Sequence, residues 1–373
     1  MRFLVCVDSF KGSLTSFEAG RAICDGIEAE GGKAELCPLA DGGEGTVEAL
    51  SALDGAKKRE IYVSNPLMRK IKCEYLILND EIAIMEMASA CGLYLLAREE
   101  QNPLYTTTYG LGEMILDALN LGIRDFIIGI GGSATNDGGS GMLSCLGVKL
   151  LDKDGNQVRQ GNIGLLDVEK IDISGMDKRI SDSKFKIACD VKNTLLGKNG
   201  ATYVFSRQKG ACEDDLVMLE DALRGFGVKT KEVLPEADYE KEGTGAAGGL
   251  GFGLLSYLNA ELLPGAELII EKTGLEEKIK NCDALVTGEG KLDSQSLMGK
   301  APYTVAKLGK KHGKKTVAVC GIIENSSGLS RIFDLCIQTK DENMSVEMAM
   351  KKENAVLSAK RAGQALVKKL SVN

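Results

Sequence analysis

FIIGIGGSATNDGGSGMLSCLG, residues 126–147, is the stretch from which the fold is read. Phe126, Ile127, Ile128 and Ile130 form a short apolar run rich in β-branched residues, which predicts a buried strand. Gly131, Gly132, Gly138 and Gly139 follow, interleaved with Ser133, Thr135, Asn136 and Asp137, a composition in which no regular element propagates. Met142, Leu143, Cys145 and Leu146 then suit one face of a short helix. Strand, glycine-rich loop and helix is the arrangement by which α/β proteins hold anions, because glycine lets the backbone approach and the helix-start amides point at negative charge. Asn136 and Asp137 add side chains able to orient a hydroxyl or a metal-bound phosphate. The plainer alternative is a tight turn that packs the helix on its strand.

The chain around this stretch has 373 residues, more than one core normally serves, so two domains are expected. Its 44% hydrophobic and 27% charged residues are those of a globular protein. A net charge of −7 argues against non-specific nucleic-acid binding, although loop amides and single lysines still suffice for a phosphorylated substrate. The run Met1–Val7 is too short for a signal peptide, and no later run reaches membrane-spanning length. The 11 cysteines are scattered singly and without a C-x-x-C pair, which predicts reduced residues in a cytoplasmic protein. The single histidine, His312, sits in a basic, glycine-terminated helix end, so a general base is expected to be a carboxylate.

Taken in order, Arg2–Val7 predicts a first strand, and Thr15-x-x-Glu18 a capping box opening a helix. Asp8, Ser9 and Lys11 lie between them, beyond the carboxyl end of the strand, where open α/β sheets bind ligands. Residues 35–39 predict an edge-like strand running into Asp41-Gly42-Gly43-Glu44. These carboxylates either hold magnesium or substrate hydroxyls, or complement a helix N-terminus. Residues 71–78 and 82–87 predict a hairpin, 112–121 a helix, 185–189 a strand ending at Asp190 with Asn193 three residues on, and 213–225 a helix. The stretch 152–183 has no assignable pattern. A second glycine-rich loop, 243–253, lacks charge and either approaches a nucleotide or packs a helix tightly. Residues 284–287 and 316–320 flank a helix as a parallel βαβ unit, and 345–370 closes the chain as a helix. The two ends share this texture and the middle differs. The expected fold is α/β: a discontinuous, doubly wound Rossmann-like domain of residues 1–70 plus 283–373, a second α/β domain of 71–282 inserted into it, and the active site in the cleft.

Neither a Walker loop nor a Rossmann G-x-G-x-x-G fingerprint is present. What the chain carries instead is DSFKGSL (8–14), PLADGGEGTVEA (38–49), GIGGSATNDGGSGM (129–142), ACDVKN (188–193), QKGA (208–211), GAAGGLG (245–251) and TGEGKLDSQS (287–296). In this order the motifs resemble the type I bacterial glycerate kinases, nearly end to end. The resemblance implies ATP- and Mg²⁺-dependent phosphorylation of D-glycerate, with 2-phosphoglycerate favoured over 3-phosphoglycerate, in glyoxylate or sugar-acid metabolism. A monomer or homodimer is expected, and charge and hydropathy predict no nucleic-acid or membrane partner. Under that reading Lys11 stabilises the transferring phosphoryl group, and Asp190, with Asp137 as competitor, accepts the hydroxyl proton. Asp8, Ser9, Asp41, Gly42, Gly43, Glu44, Gly131, Gly132, Ser133, Asn136 and Asn193 bind substrate or phosphate. Gly288, Glu289, Lys291 and Ser294 bind nucleotide, and Asp41, Glu44 and Asp293 are the candidate metal ligands. A kinase of another small hydroxy acid and a non-catalytic metabolite sensor are the rival readings.

Overall fold

The computed structural model describes residues 1–10, 12–37, 39, 45–51, 53–293, 301–324, 328–341 and 343–371. They form two compact units, one of residues 1–41, 48–53 and 265–373, the other of 42–47 and 54–264.

In the first unit a five-stranded parallel sheet has the order Leu335–Gln338, Lys315–Cys320, Ala284–Gly288, Arg2–Val7, Lys33–Leu36. The apolar run of Arg2–Val7 is continuous because both sheet faces are covered. Phe3, Val5 and Val7 point to one core with Ile23 and Ile27 of helix Ser16–Ala29 and Leu366 of helix Lys352–Ser371. Leu4 and Cys6 point to the opposite core with Leu275, Ile279 and Val305. Each fully buried aliphatic side chain of this kind contributes about 1.5–3 kcal/mol. Helix Ser16–Ala29 begins with the expected capping box: Glu18 N donates to Thr15 Oγ1 at 3.2 Å and Thr15 N to Glu18 Oε2 at 3.0 Å. It meets helix Lys352–Ser371 backbone to backbone, since a Cβ on Gly26 would lie 2.0 Å from the Lys360 carbonyl oxygen. The closing helix is not continuous: Val346–Met350 and Lys352–Ser371 are separated by Lys351 in an extended conformation.

In the second unit a six-stranded sheet runs Glu261–Leu263, Lys184–Ala188, Asp125–Gly129, Ile82–Glu86, Lys70–Leu78, Ala56–Ser64. The first four strands are parallel and the last two pairings antiparallel. The expected hairpin is present, closed by Asn79 and Asp80 at φ of 55° and 60°, the double left-handed geometry of a type I′ turn. Strand Asp125–Gly129 lies inside this sheet, with Phe126 stacked on Phe185 of the neighbouring strand at 4.6 Å. Within the unassigned stretch, Lys170–Asp172 pairs antiparallel with Lys149–Leu151, just before it.

The domain boundaries differ from the expected 70/71 and 282/283. Strand Ala56–Ser64 pairs along its whole length with Lys70–Leu78 and so belongs to the second unit. Helices Gly265–Thr273 and Leu275–Asn281 bring Ala266, Leu275 and Ile279 to the core beneath Leu4 and Leu285, and so belong to the first.

Candidate functional site

In the second unit the chain leaves strand Asp125–Gly129 and re-enters helix Ser140–Cys145 through two consecutive left-handed glycines, Gly138 at φ 63° and Gly139 at 83°. A Cβ on Gly138 would lie 2.9 Å from the Phe226 ring. The second glycine-rich loop packs directly on this one. Gly138 N donates to the Gly248 carbonyl at 3.0 Å, and a Cβ on Gly248 would lie 1.9 Å from the Thr135 carbonyl oxygen. Its glycines thus serve close backbone packing.

Asp137 is fully buried and faces inward. Its Oδ2 accepts from Thr108 N at 2.8 Å, Thr108 Oγ1 at 2.9 Å and Gly141 N at 3.2 Å, and its Oδ1 from Gly139 N at 3.1 Å. Burial pushes this carboxyl up from its ordinary range, while the bonds from Thr108, Gly141 and Gly139 oppose the rise. Its oxygens are occupied in holding the loop. Asn136 is also fully buried; its Nδ2 donates to Thr202 Oγ1 at 3.2 Å, and its Oδ1 has no partner among the described residues.

Sequence reasoning missed the residue that completes this loop. Lys209 is 3% exposed, and its Nζ donates to Ser133 Oγ at 2.6 Å and to the Thr135 carbonyl at 2.7 Å. Burial lowers this ammonium from 10.5 to about 7, with Asp137 acting in the opposite direction. The QKGA motif contains Lys209, but nothing in four residues reveals that a lysine is buried. Gly131 and Gly132, just before Ser133, are exposed. Gly129 pairs with Ala188 in the parallel sheet, so the loops holding Gly131 and Asp190 leave adjacent strand ends. Asp190 is exposed, and Asn193 donates from Nδ2 to the Asn199 carbonyl at 2.7 Å.

In the first unit, a cavity of about 370 Å³ opens beyond the carboxyl ends of the parallel strands. Asp8, Ser9, Glu289, Lys291 and Asp293 line its polar side, and Phe10, Ile322, Val346 and Met350 its apolar side. Asp8 N donates to the Gly288 carbonyl at 2.8 Å and Ser9 N to Asp8 Oδ1 at 2.7 Å. Lys291 Nζ lies 2.8 Å from Glu324 and 3.8 Å from Asp293. Gly288 itself is fixed by packing, because a Cβ there would lie 1.7 Å from the Val319 carbonyl oxygen. Lys11, Asp41, Gly42, Gly43, Glu44 and Ser294 lie outside the described residues.

Among the described residues no three histidine, cysteine or carboxylate side chains form a ready metal cluster. The donors in the cavity are nonetheless hard oxygens, which suit Mg²⁺. That ion normally takes one or two carboxylates and completes its shell with water and phosphate. His312 pairs with Glu276 at 2.7 Å, the structural role expected of it, and no described helix is long and apolar enough to cross a membrane.

Comparison with known proteins decides the family. The glycerate kinase family model matches residues 3–369. The chain belongs to the glycerate kinase family. It is similar to the glycerate kinase of Halalkalibacterium halodurans, with 40% identity over 95% of this chain and 94% of that one. It is also similar to the glycerate 2-kinase of Escherichia coli K12, with 42% identity over 88% and 87% of the two chains. A crystal structure of a candidate glycerate kinase 2 from Salmonella typhimurium LT2 matches with a TM-score of 0.89 at 36% identity, covering 100% of this chain and 98% of that one. The α/β fold and the enzyme class of this glycerate kinase family member are thereby established.

Proposed function

We propose that the chain transfers the γ-phosphoryl group of ATP to the 2-hydroxyl of D-glycerate with Mg²⁺, as a cytoplasmic enzyme. The observation that carries this reading is the first unit's cavity, which joins an apolar wall to three carboxylates and two lysines at the strand ends. That is the chemistry a nucleotide needs: a surface for the base, and charged groups for the phosphates and their ion. The 2-position is favoured by the E. coli relative's description as a glycerate 2-kinase.

Phosphoryl transfer asks a protein mainly for positioning and charge neutralisation. Glu289 and Lys291 are assigned to the nucleotide phosphates, Asp8 and Ser9 to the polar rim beside them, and Lys11 to the transferring group. Asp293, with Asp41 and Glu44, would hold Mg²⁺, which when bound would supply neutralisation of phosphate charge. The exposed amides of Gly131 and Gly132 and the Ser133 hydroxyl bind the acidic substrate, with Asn193 close by in sequence to Asp190. Asp190 accepts the hydroxyl proton. Asp137, buried and hydrogen-bonded throughout, holds the loop, which favours Asp190 over it as the base.

A coupled assay of ADP release with D-glycerate and a panel of other small hydroxy acids tests the proposal. Turnover with glycerate foremost is expected. Turnover only with another acid overturns the substrate, and no ADP release with any acid overturns the activity.

A further inference from the structure

Lys209 has a role that neither the family motifs nor the chemistry above requires. A lysine is almost never fully buried without a partner carboxylate in contact, yet the two groups that Lys209 Nζ touches are neutral oxygens, Ser133 Oγ and the Thr135 carbonyl. Asp137, the charged group that acts on it, has its own oxygens taken by Thr108, Gly139 and Gly141.

The contact with Ser133 has a directional consequence. A hydroxyl that receives a hydrogen bond from an ammonium gives its own hydrogen elsewhere. Among the described residues none accepts from Ser133 Oγ, and the two residues before it, Gly131 and Gly132, are exposed. The loop thus holds a donor hydroxyl, itself 8% exposed, next to two exposed glycines and with positive charge directly behind it.

We infer that Lys209 is a positioning residue which, through Ser133, makes the 131–135 loop a receptor for one small oxyanion. That oxyanion is either the carboxylate of the acidic substrate or the phosphoryl group it receives. The inference rests on the kinase reading for the name of the ligand, not for the existence of the receptor. Charge behind the hydroxyl strengthens its donation to an anion, since charge-assisted bonds are about twice as strong as neutral ones. The Thr135 contact fixes the loop so that this donor is pre-aimed.

The test compares Lys209→Met, Lys209→Arg and Ser133→Ala with the unaltered chain, in steady-state kinetics and in calorimetric titration with D-glycerate alone. If the oxyanion is the carboxylate, Lys209→Met raises KM for glycerate more than tenfold while KM for ATP stays within twofold. If it is the phosphoryl group, kcat falls more than tenfold with KM for glycerate unchanged. Lys209→Arg recovers part of either loss, and Ser133→Ala, which leaves Lys209 its Thr135 contact, reproduces the effect. The double variant is then no worse than Lys209→Met. In the unaltered chain, kcat/KM for glycerate falls as pH rises above about 7, where the ammonium loses its proton, and Lys209→Met is flat across that range. Unchanged kinetics and binding in folded Lys209→Met and in Ser133→Ala would overturn the inference. Glycerate titration distinguishes this failure from failure of the kinase reading, because a chain that binds glycerate through Ser133 but never turns over keeps the receptor and loses only the activity.

Discussion

Replacing Asp137 separates a loop-holding carboxylate from a catalytic one. Three backbone amides converge on its oxygens, those of Thr108, Gly139 and Gly141 at 2.8, 3.1 and 3.2 Å. Thr108 Oγ1 adds a fourth bond at 2.9 Å. Thr107 Oγ1 lies 3.4 Å away, but its single hydrogen is better placed on Gln160 Oε1 at 3.0 Å. In Asp137→Ala the three amides are buried without acceptors at about 1–3 kcal/mol each, so a loss of about 5 kcal/mol is expected. Asp137→Asn keeps one oxygen, which takes the place of Oδ2 and its cluster of donors. Its amide nitrogen then faces Gly139 N–H, one bond is lost, and the cost is about 1–3 kcal/mol. The chain has no tryptophan, so urea unfolding is followed by circular dichroism, with turnover measured on the same samples. Asp137→Asn should shift the urea midpoint downward and keep kcat within about tenfold. A folded Asp137→Asn chain with an unshifted midpoint and turnover reduced a thousandfold would refute this reasoning and make Asp137 the base.

Other substitutions address the remaining groups. Asp190→Asn should lower kcat by about 10²–10⁴-fold, the usual share of a general base, while ATP binding measured by calorimetry is retained; intact turnover would remove Asp190 from the mechanism. The Lys209 ammonium, lowered to about 7 in the fold from 10.5, binds fewer protons folded than unfolded across that interval. Its contribution to stability therefore rises with pH from about 7 towards 10.5, and the cost of the buried charge, up to about 5 kcal/mol, is borne in full below that window. Urea midpoints at pH 6.5 and 9 should differ for the unaltered chain by more than for Lys209→Met, and equal differences would contradict the assignment. Met350→Glu puts a charge on the apolar wall of the first unit's cavity and should raise KM for ATP roughly tenfold or more without changing KM for glycerate. An unchanged KM for ATP would move the nucleotide out of that cavity.

Much of the fold is legible in the sequence where a residue's local chemistry and its tertiary use agree. Residues 3–7 are apolar throughout because both faces of their strand are covered, and Thr15 with Glu18 writes its capping box openly. Asn79-Asp80 announces a hairpin because both residues tolerate positive φ. Strand Ala56–Ser64 escaped notice because five of its nine residues are charged or lie exposed along one side, leaving little period-two signal until Val63 and Ser64 are buried. Helix Glu213–Val233 runs past Gly225 and Gly227, which read as a stop. The Tyr239 ring would lie 3.2 Å from a Cβ on Gly227, so packing, not termination, accounts for that glycine. The break at Lys351 carries no proline or glycine to mark it.

The candidate site divides in the same way. Asp8 and Ser9 are singled out by strand-end position, Glu289, Lys291 and Asp293 by the motif 287–296 of the family resemblance, and the five share one cavity. Ser133, Asn136 and Asp137 are singled out by the glycine-rich loop, but that all three are buried, and what each bonds, is a tertiary property. Lys209 was not found, since a lysine in a short motif is solvated by default and only packing against Ser133 and Thr135 makes it otherwise.

Phosphoryl transfer from ATP to glycerate is best checked by phosphorus NMR of the product formed from D-glycerate, ATP and Mg²⁺. ADP and a single new phosphomonoester coupled to the proton on carbon 2 are expected. A phosphomonoester coupled to the carbon 3 methylene protons would contradict the 2-hydroxyl assignment, and ATP left unconsumed beside D-glycerate would contradict the activity itself.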